Sequence, residues 1–396
     1  MKERLLNRIC GEYTLPQQCK EKGIYPYYTP ISSEQSTVVK IEGKDVLMFG
    51  SNSYLGLSND PRLKEAAKNA IDKYGSSCSG SRFLNGTLDI HVDLEQRLAE
   101  FVGKEEVVTY STGMQVNLGV VSALGFRGGY ILLDAQDHAS IIDGSRLGFA
   151  KVLKFKHNDV EDLERKLQFC EYDSCKLIVV DGIYSMEGDI APLPQICDLC
   201  DRYNASVMVD DAHSLGVLGK NGRGTADYFG LTDRVDLIMG TFSKSFGSLG
   251  GFIAGDHEVL NYLKHNSRAL IFSASMTPAA VASAGKALDI MLSEPERFEH
   301  LWDLTRYAQK AFKDAGFDTG RTESPIIPLF VRDTEKAMAI VSLALAEGVF
   351  VTPVIAPAVA QGDELIRFAL MATHTKEQVD FAVEKLTKVF RSLDIL

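Results

Sequence analysis

Five short apolar runs recur through the middle of the chain: EVVTY (106–110), YILLD (130–134), KLIVVDG (176–182), SVMVDDAH (206–213) and VDLIMGTF (235–242). Segments of helical period separate them. Runs of Val, Ile and Leu with little polar alternation are strands buried on both faces, and a sheet covered on both faces needs a helix after nearly every strand. The pattern predicts an α/β fold with a mostly parallel sheet flanked by helices.

Before these runs, PRLKEAAKNAIDKY (61–74) has the marks of a helix, with Asp60 to cap it, Pro61 in its first turn and Gly75 to end it. A flexible polar stretch, GSSCSGSRFLNGT, leads into a second amphipathic helix over 89–102. The last hundred or so residues change character. A helix near 334–347, strands at VFVTPV and ELIRFALMA, and a helix from 376 make a smaller α/β lobe, with a connecting helix within 277–315. Thr375 and Gln378 form a capping box for the last helix, whose apolar face is Val379, Ala382, Val383, Leu386, Val389 and Phe390. The expected division is an N-terminal arm (1–50), a large domain (51–285) and a small C-terminal domain (286–396).

Composition narrows the partners. A net charge of −11 argues against nucleic acid, whose phosphates need a basic surface. The N-terminus, MKERLLNRICGEYTL, carries charges where a secretion signal needs an apolar stretch, and no apolar run approaches the roughly 18–20 residues that span a bilayer. Seven cysteines, an odd number at irregular spacing, suit a reducing compartment, so a cytoplasmic location is expected. Cys197 and Cys200 form a CxxC without a second pair to complete a zinc site. They lie late in a helix and read as packing residues.

In a parallel sheet, ligands bind beyond the carboxyl ends of the strands. Four strands here end in polar residues: Asp137, His138 and Ser140; Tyr184, Ser185 and Glu187; Asp210, Asp211 and His213; Thr241, Ser243 and Lys244. One such end is an ordinary solvated turn, but four at one sheet edge make a site. There is no P-loop, no GxGxxG after the first strand and no GxSxG. What remains is a lysine, an aspartate, two histidines and a glycine-rich stretch. Lysine forms Schiff bases with aldehydes, and pyridoxal 5′-phosphate (PLP) is the aldehyde whose ring holds carbanion electrons, provided a carboxylate keeps the ring nitrogen protonated. Lys244 is the Schiff-base candidate and Asp210 the carboxylate. His138 is placed to stack on the ring. Gly113 and Met114, opening a helix in STGMQVNLG, are placed to bind a phosphate through backbone N–H groups.

The motifs SNSYLGL, STGMQVNLG, DHASIIDG, DGIYSMEGDIAPL, VMVDDAHSLGVLG and GTFSKSFGSLGG occur in an order that resembles the α-oxoamine synthases, a branch of the PLP-dependent fold type I enzymes. The likeness runs over nearly the whole chain and implies a homodimer that shares its active sites and joins an amino acid to an acyl-CoA with loss of CO2. By this resemblance Lys244 holds the cofactor and removes the substrate's Cα proton. Asp210 pairs with the pyridinium nitrogen and His213 with the phenolic oxygen. His138 stacks on the ring and helps hold the substrate carboxylate, Ser185 lies beside the ring, and Thr241 and Ser243 reach the phosphate. Ser273 or Ser275 completes the neighbouring subunit's phosphate site. Arg367 grips the substrate carboxylate, its plain alternative being an exposed strand arginine. Asn52 stands near the substrate or simply shapes its turn, and His374, beside the capping Thr375, reads as structural.

Within the family, GTFSKSFGSLGGFIAG and PVIAPAV look most like the branch that uses L-serine and a long-chain acyl-CoA, palmitoyl-CoA. Sister branches use glycine with acetyl-CoA or succinyl-CoA, or alanine with a pimeloyl thioester. Some bacterial members carry a further arginine ahead of a PPATP-like segment, where this chain has VTPVIAPAV, which makes carboxylate binding more dependent on Arg367 and His138. A non-catalytic partner subunit would lack the lysine. The lipid substrate implies transient contact with a membrane surface, peripheral at the inner membrane.

Overall fold

The structure is a computed structural model and describes residues 4–396. Met1–Glu3, at the head of the stretch read against a secretion signal, lie outside the described residues. Thirteen strands organise the described residues: β1 (Val38–Ile41), β2 (Lys44–Met48), β3 (Glu106–Tyr110), β4 (Tyr130–Asp134), β5 (Lys151–Phe155), β6 (Lys176–Asp181), β7 (Ser206–Asp210), β8 (Leu237–Thr241), β9 (Gly251–Gly255), β10 (Ile326–Phe330), β11 (Val349–Phe350), β12 (Thr352–Val354) and β13 (Leu365–Ala369).

A seven-stranded sheet in the order β3-β9-β8-β7-β6-β4-β5 forms the larger layer. Every pair in it is parallel except those made by β9, which runs antiparallel to both β3 and β8. Because successive side chains point to opposite faces, each buried strand feeds two cores at once. Ile178 and Val180 of β6 face one core with Leu94, Leu98, Leu163 and Val281. Leu177 and Val179 face the other with Val116, Val120, Ile141 and Leu263. This two-sided burial is why these strands read as unbroken apolar runs. At the edge, β5 exposes Lys151 and Lys154, charges that protect an unpaired strand from sheet-to-sheet association.

The helix Pro61–Tyr74 starts where Asp60 accepts a hydrogen bond from Arg62 N (2.9 Å) and ends at Gly75, whose φ of 88° favours glycine. Thr375 and Gln378 make the expected capping box on Lys376–Ser392, which buries Val379, Ala382, Leu386, Val389 and Phe390. The connection within 277–315 is two helices, Pro278–Ser293 and Pro295–Asp314. Pro295 cannot continue the first helix without losing a backbone hydrogen bond, but it suits the opening turn of the second.

Two small sheets complete the chain. β10, β13 and β12 pair antiparallel, while β2 pairs with β1 antiparallel and with β11 in parallel. The N-terminal stretch is therefore built into the C-terminal part: Phe49 O accepts from Ala369 N (2.8 Å) and Tyr54 O from Ala372 N (2.6 Å). No described helix is long and apolar enough to cross a membrane.

Candidate active site

The parallel register places Asp181 of β6 opposite Asp210 of β7, and Asp210 opposite Met239 of β8. The carboxyl ends of the central strands thus converge on one cavity of about 270 Å3, lined in part by Gly113, Met114, Asn117, His138, Asp210, His213, Thr241, Ser243 and Lys244. The helix Gly113–Leu124 begins directly above β3, with Thr112 Oγ1 accepting from Gln115 N (3.1 Å). That leaves the first-turn N–H groups of Gly113 and Met114 without helical acceptors, at the positive end of the helix dipole. A Cβ on Gly113 would stand 2.8 Å from Thr241 Oγ1, so this approach of helix to strand requires glycine. Thr241 Oγ1 and Ser243 Oγ lie 2.9 Å apart beside it.

Asp210 is buried and held by two donors, Asn117 Nδ2 (2.6 Å) and Ala212 N (2.9 Å). Asn117 Nδ2 also donates to Ser140 Oγ (2.9 Å), which lies 2.7 Å from His138 Nδ1. Asn117, one helical turn past Gly113, therefore ties the carboxylate to the histidine that opens the next helix, Ala139–Leu147. His138 keeps much of its surface open to the cavity. Loss of water around its ring lowers its pKa, with Asp210 opposing and Lys244 adding to that effect.

Lys244 is only half-buried as a residue, but its amine end lies away from bulk water. Burial brings its pKa down to about 8 from the ordinary 10.5, with Arg367 also lowering it and Asp210 and Asp181 opposing. The cost of desolvating a cation thus leaves part of this lysine as a free amine near neutral pH. His213 is pushed well below the usual histidine range by burial, and then by Lys244, Arg367 and His138.

Arg367 on β13 is buried rather than an exposed strand arginine. Its Nε donates to Ser185 O (2.7 Å) and its Nη2 to Tyr54 Oη (3.1 Å). Among the described residues no carboxylate lies within ion-pair distance of it. Its buried charge is balanced by hydrogen bonds alone. Asn52 Oδ1 is buried and lacks a hydrogen-bond partner among the described residues. His374 is structural: Nδ1 accepts from Met371 N (2.9 Å), Nε2 lies 3.1 Å from Met48 O, and the ring stacks on Phe49. Ser275 Oγ lies within hydrogen-bonding distance of Gly80 O and Gly86 O in its own chain, while Ser273 Oγ accepts from Gln115 Nε2 (2.7 Å) on the helix that Gly113 opens. Cys197 and Cys200 are buried on Leu193–Tyr203, and burial raises both thiols, that of Cys197 to about 11, so neither is a ready thiolate.

Two residues at the site, Tyr54 and Asn117, stand in quoted motifs yet were not singled out from sequence. Tyr54 reads there as an apolar loop residue and Asn117 as one polar residue in an apolar helix.

The donor set fits PLP: an amine with a lowered pKa, a buried carboxylate, a flat imidazole at the wall, and a glycine helix end flanked by two hydroxyls. Gly113→Ala is expected to keep the fold but weaken PLP binding about tenfold or more, the worth of a displaced hydrogen bond to a charged group. A titration of the visible cofactor band checks this.

The profile of the aminotransferase class I and II family matches residues 44–386. The serine palmitoyltransferase of Bacteroides ovatus is 59% identical over 392 residues, covering 99% of this chain and 100% of its own. The 8-amino-7-oxononanoate synthase of Thermosipho melanesiensis is 43% identical over 379 residues, covering 96% of this chain and 97% of its own. A high-resolution structure of SPT with the PLP internal aldimine superposes with a TM-score of 0.96 at 35% identity over the full length of both chains.

Proposed function

The chain belongs to the aminotransferase class I and II family, in its α-oxoamine synthase branch, and from that premise we propose that it carries out the serine palmitoyltransferase reaction. L-Serine and palmitoyl-CoA give 3-oxosphinganine, CoA and CO2. The serine Cα–H bond breaks, a bond forms between Cα and the thioester carbonyl carbon as the C–S bond breaks to release CoA, and the bond from Cα to the carboxylate breaks to release CO2, a proton then returning to Cα. This is the first step of sphingolipid synthesis. The observation that carries the reading is full-length identity of 59% to a serine palmitoyltransferase, set beside a cavity lined by a lysine amine whose pKa burial and a nearby unpaired guanidinium lower.

PLP, when bound, supplies an aldehyde for amines and a protonated ring that delocalises the electron pair left at an amino acid's Cα. The chain supplies orientation and proton control. Lys244 holds the cofactor and, as the free amine, takes the Cα proton. Asp210, held in place by the Asn117 Nδ2 and Ala212 N donors, would pair with the ring nitrogen. His138 would stack on the ring, and His213 would donate to the phenolic oxygen. Gly113 and Met114 N–H with the Thr241 and Ser243 hydroxyls would bind the phosphate. Arg367, with Asn52 and His138, would hold the serine carboxylate. Ser185 would lie beside the ring, and Ser273 or Ser275 would serve the neighbouring subunit of a homodimer. Residues 51–285 hold the cofactor and 286–396 supply the carboxylate arginine. The reading includes a cytoplasmic chain that touches the membrane surface transiently to meet its lipids.

Lys244 also fixes a pH dependence. Burial penalises its cation, so in cofactor-free protein its reaction with PLP should accelerate as pH rises through about 8 and then level. Stopped-flow absorbance across pH checks this, and a midpoint near 10 would contradict a desolvated amine.

The deciding experiment is CoA release by the PLP-loaded protein, with L-serine, glycine and L-alanine crossed against palmitoyl-, acetyl- and pimeloyl-CoA. Release confined to serine with palmitoyl-CoA is expected. A preference for alanine with pimeloyl-CoA would move the enzyme to the sister 8-amino-7-oxononanoate reaction.

A further inference from the structure

Three polar groups from distant parts of the chain meet behind the cavity. Arg367 comes from β13, Tyr54 from the loop after β2, and His213 from the turn after β7. Arg367 Nη2 donates to Tyr54 Oη (3.1 Å), and Tyr54 Oη lies 2.6 Å from His213 Nδ1. Guanidinium has only donors. The phenol oxygen therefore accepts from Arg367, and its own proton is free to point at His213. We propose that Tyr54 is a positioning residue that fixes His213 as the neutral tautomer with its proton on Nε2, so that the ring always offers a donor to the cavity.

The order of donation is forced from one end. Had His213 carried its proton on Nδ1, the phenol oxygen would accept from both sides and its own hydrogen would lack an acceptor in a wholly buried position. Tyr54 has a proton to give, since burial raises its pKa although Arg367 opposes this. The charged and titratable groups facing His213, namely Lys244, Arg367 and His138, all disfavour an imidazolium, so a neutral ring is what the phenol meets. The tyrosine itself cannot drift: its carbonyl accepts from Ala372 N (2.6 Å) and its N–H donates to Asn52 O (2.9 Å). A small-lobe arginine thus reaches a large-lobe histidine through one phenol. For the proposed function, on which only this consequence rests, a fixed Nε2–H is the donor that a phenolate oxygen on the cofactor requires.

The test is imidazole 15N NMR of the full-length protein, with and without PLP, His213 being assigned by its loss in His213→Gln. The wild type is expected to give one His213 tautomer, protonated on Nε2 with a hydrogen-bonded, unprotonated Nδ1. In Tyr54→Phe the Nδ1 resonance should shift and a second tautomer should appear, while kcat/KM for serine falls about tenfold, as for one lost buried hydrogen bond. A proton on Nδ1 in the wild type overturns the proposal whether or not the variant folds. Unchanged His213 signals in a folded Tyr54→Phe overturn it as well. Failure of the wild type to develop a visible band with PLP would instead refute the cofactor reading, and the NMR result on Tyr54 would stand apart from it.

Discussion

Lys244→Ala is expected to abolish CoA release, lowering turnover at least about 1,000-fold, within the range for a positioned acid–base group. It should also remove the visible band that the wild type forms with PLP. The loss should be chemical rather than structural. A lysine whose pKa burial lowers to about 8 is an unfavourable cation in the folded state, so alanine relieves a desolvation cost. Thermal unfolding of the variant should therefore begin no lower than that of the wild type. A variant that still turns over and stays yellow would sink the assignment of Lys244, and with it the reading of the cavity.

The second large effect is expected at Asp210→Asn. Shape is nearly kept, but the charge is lost, and an amide N–H would face either Asn117 Nδ2 or Ala212 N, both of which already donate there. Breaking a buried, hydrogen-bonded charge pair costs about 3–5 kcal/mol, so kcat should fall by about 100- to 5,000-fold. The same fall should appear, without any acyl-CoA, in exchange of the serine α-proton with D2O. Loss of condensation with normal exchange would move Asp210 from electron withdrawal at the ring to a later step.

The sequence makes the large sheet legible because its strands are buried on both faces, and the helix Pro61–Tyr74 legible because Asp60, Pro61 and Gly75 stand at the right places. It hides β9, whose GFIAG has glycine at both ends, and β5, whose lysines break the apolar run at an exposed edge. Likewise Lys244, Asp210, His138 and His213 stand out at strand ends, since charge beside an apolar run is conspicuous. Arg367 as a buried group without an anion, and Tyr54 as its link to His213, depend on contacts 313 residues apart that no local pattern encodes. The family resemblance supplied Arg367, while the physical reason for it came only with the three-dimensional arrangement. Asn117 lies between these cases: an asparagine one turn into an apolar helix is a signal that helix periodicity alone dismisses.

The pairing of β2 with β11, and of the Tyr54 loop with Ala372, has a consequence for how the chain is made. A ribosome delivers residues 38–54 about 300 residues before their partners, Val349, Phe350 and Ala372. For most of synthesis the nascent chain holds its opening strands without a sheet to join, while the central parallel layer assembles from neighbours close in sequence. Polypeptides released early would contain the lysine, the aspartate and both cavity histidines, yet lack the strand that steadies the opening loop. Completion of the opening sheet therefore waits on residues 349–372, and until they emerge the β1–β2 hairpin lacks its third strand.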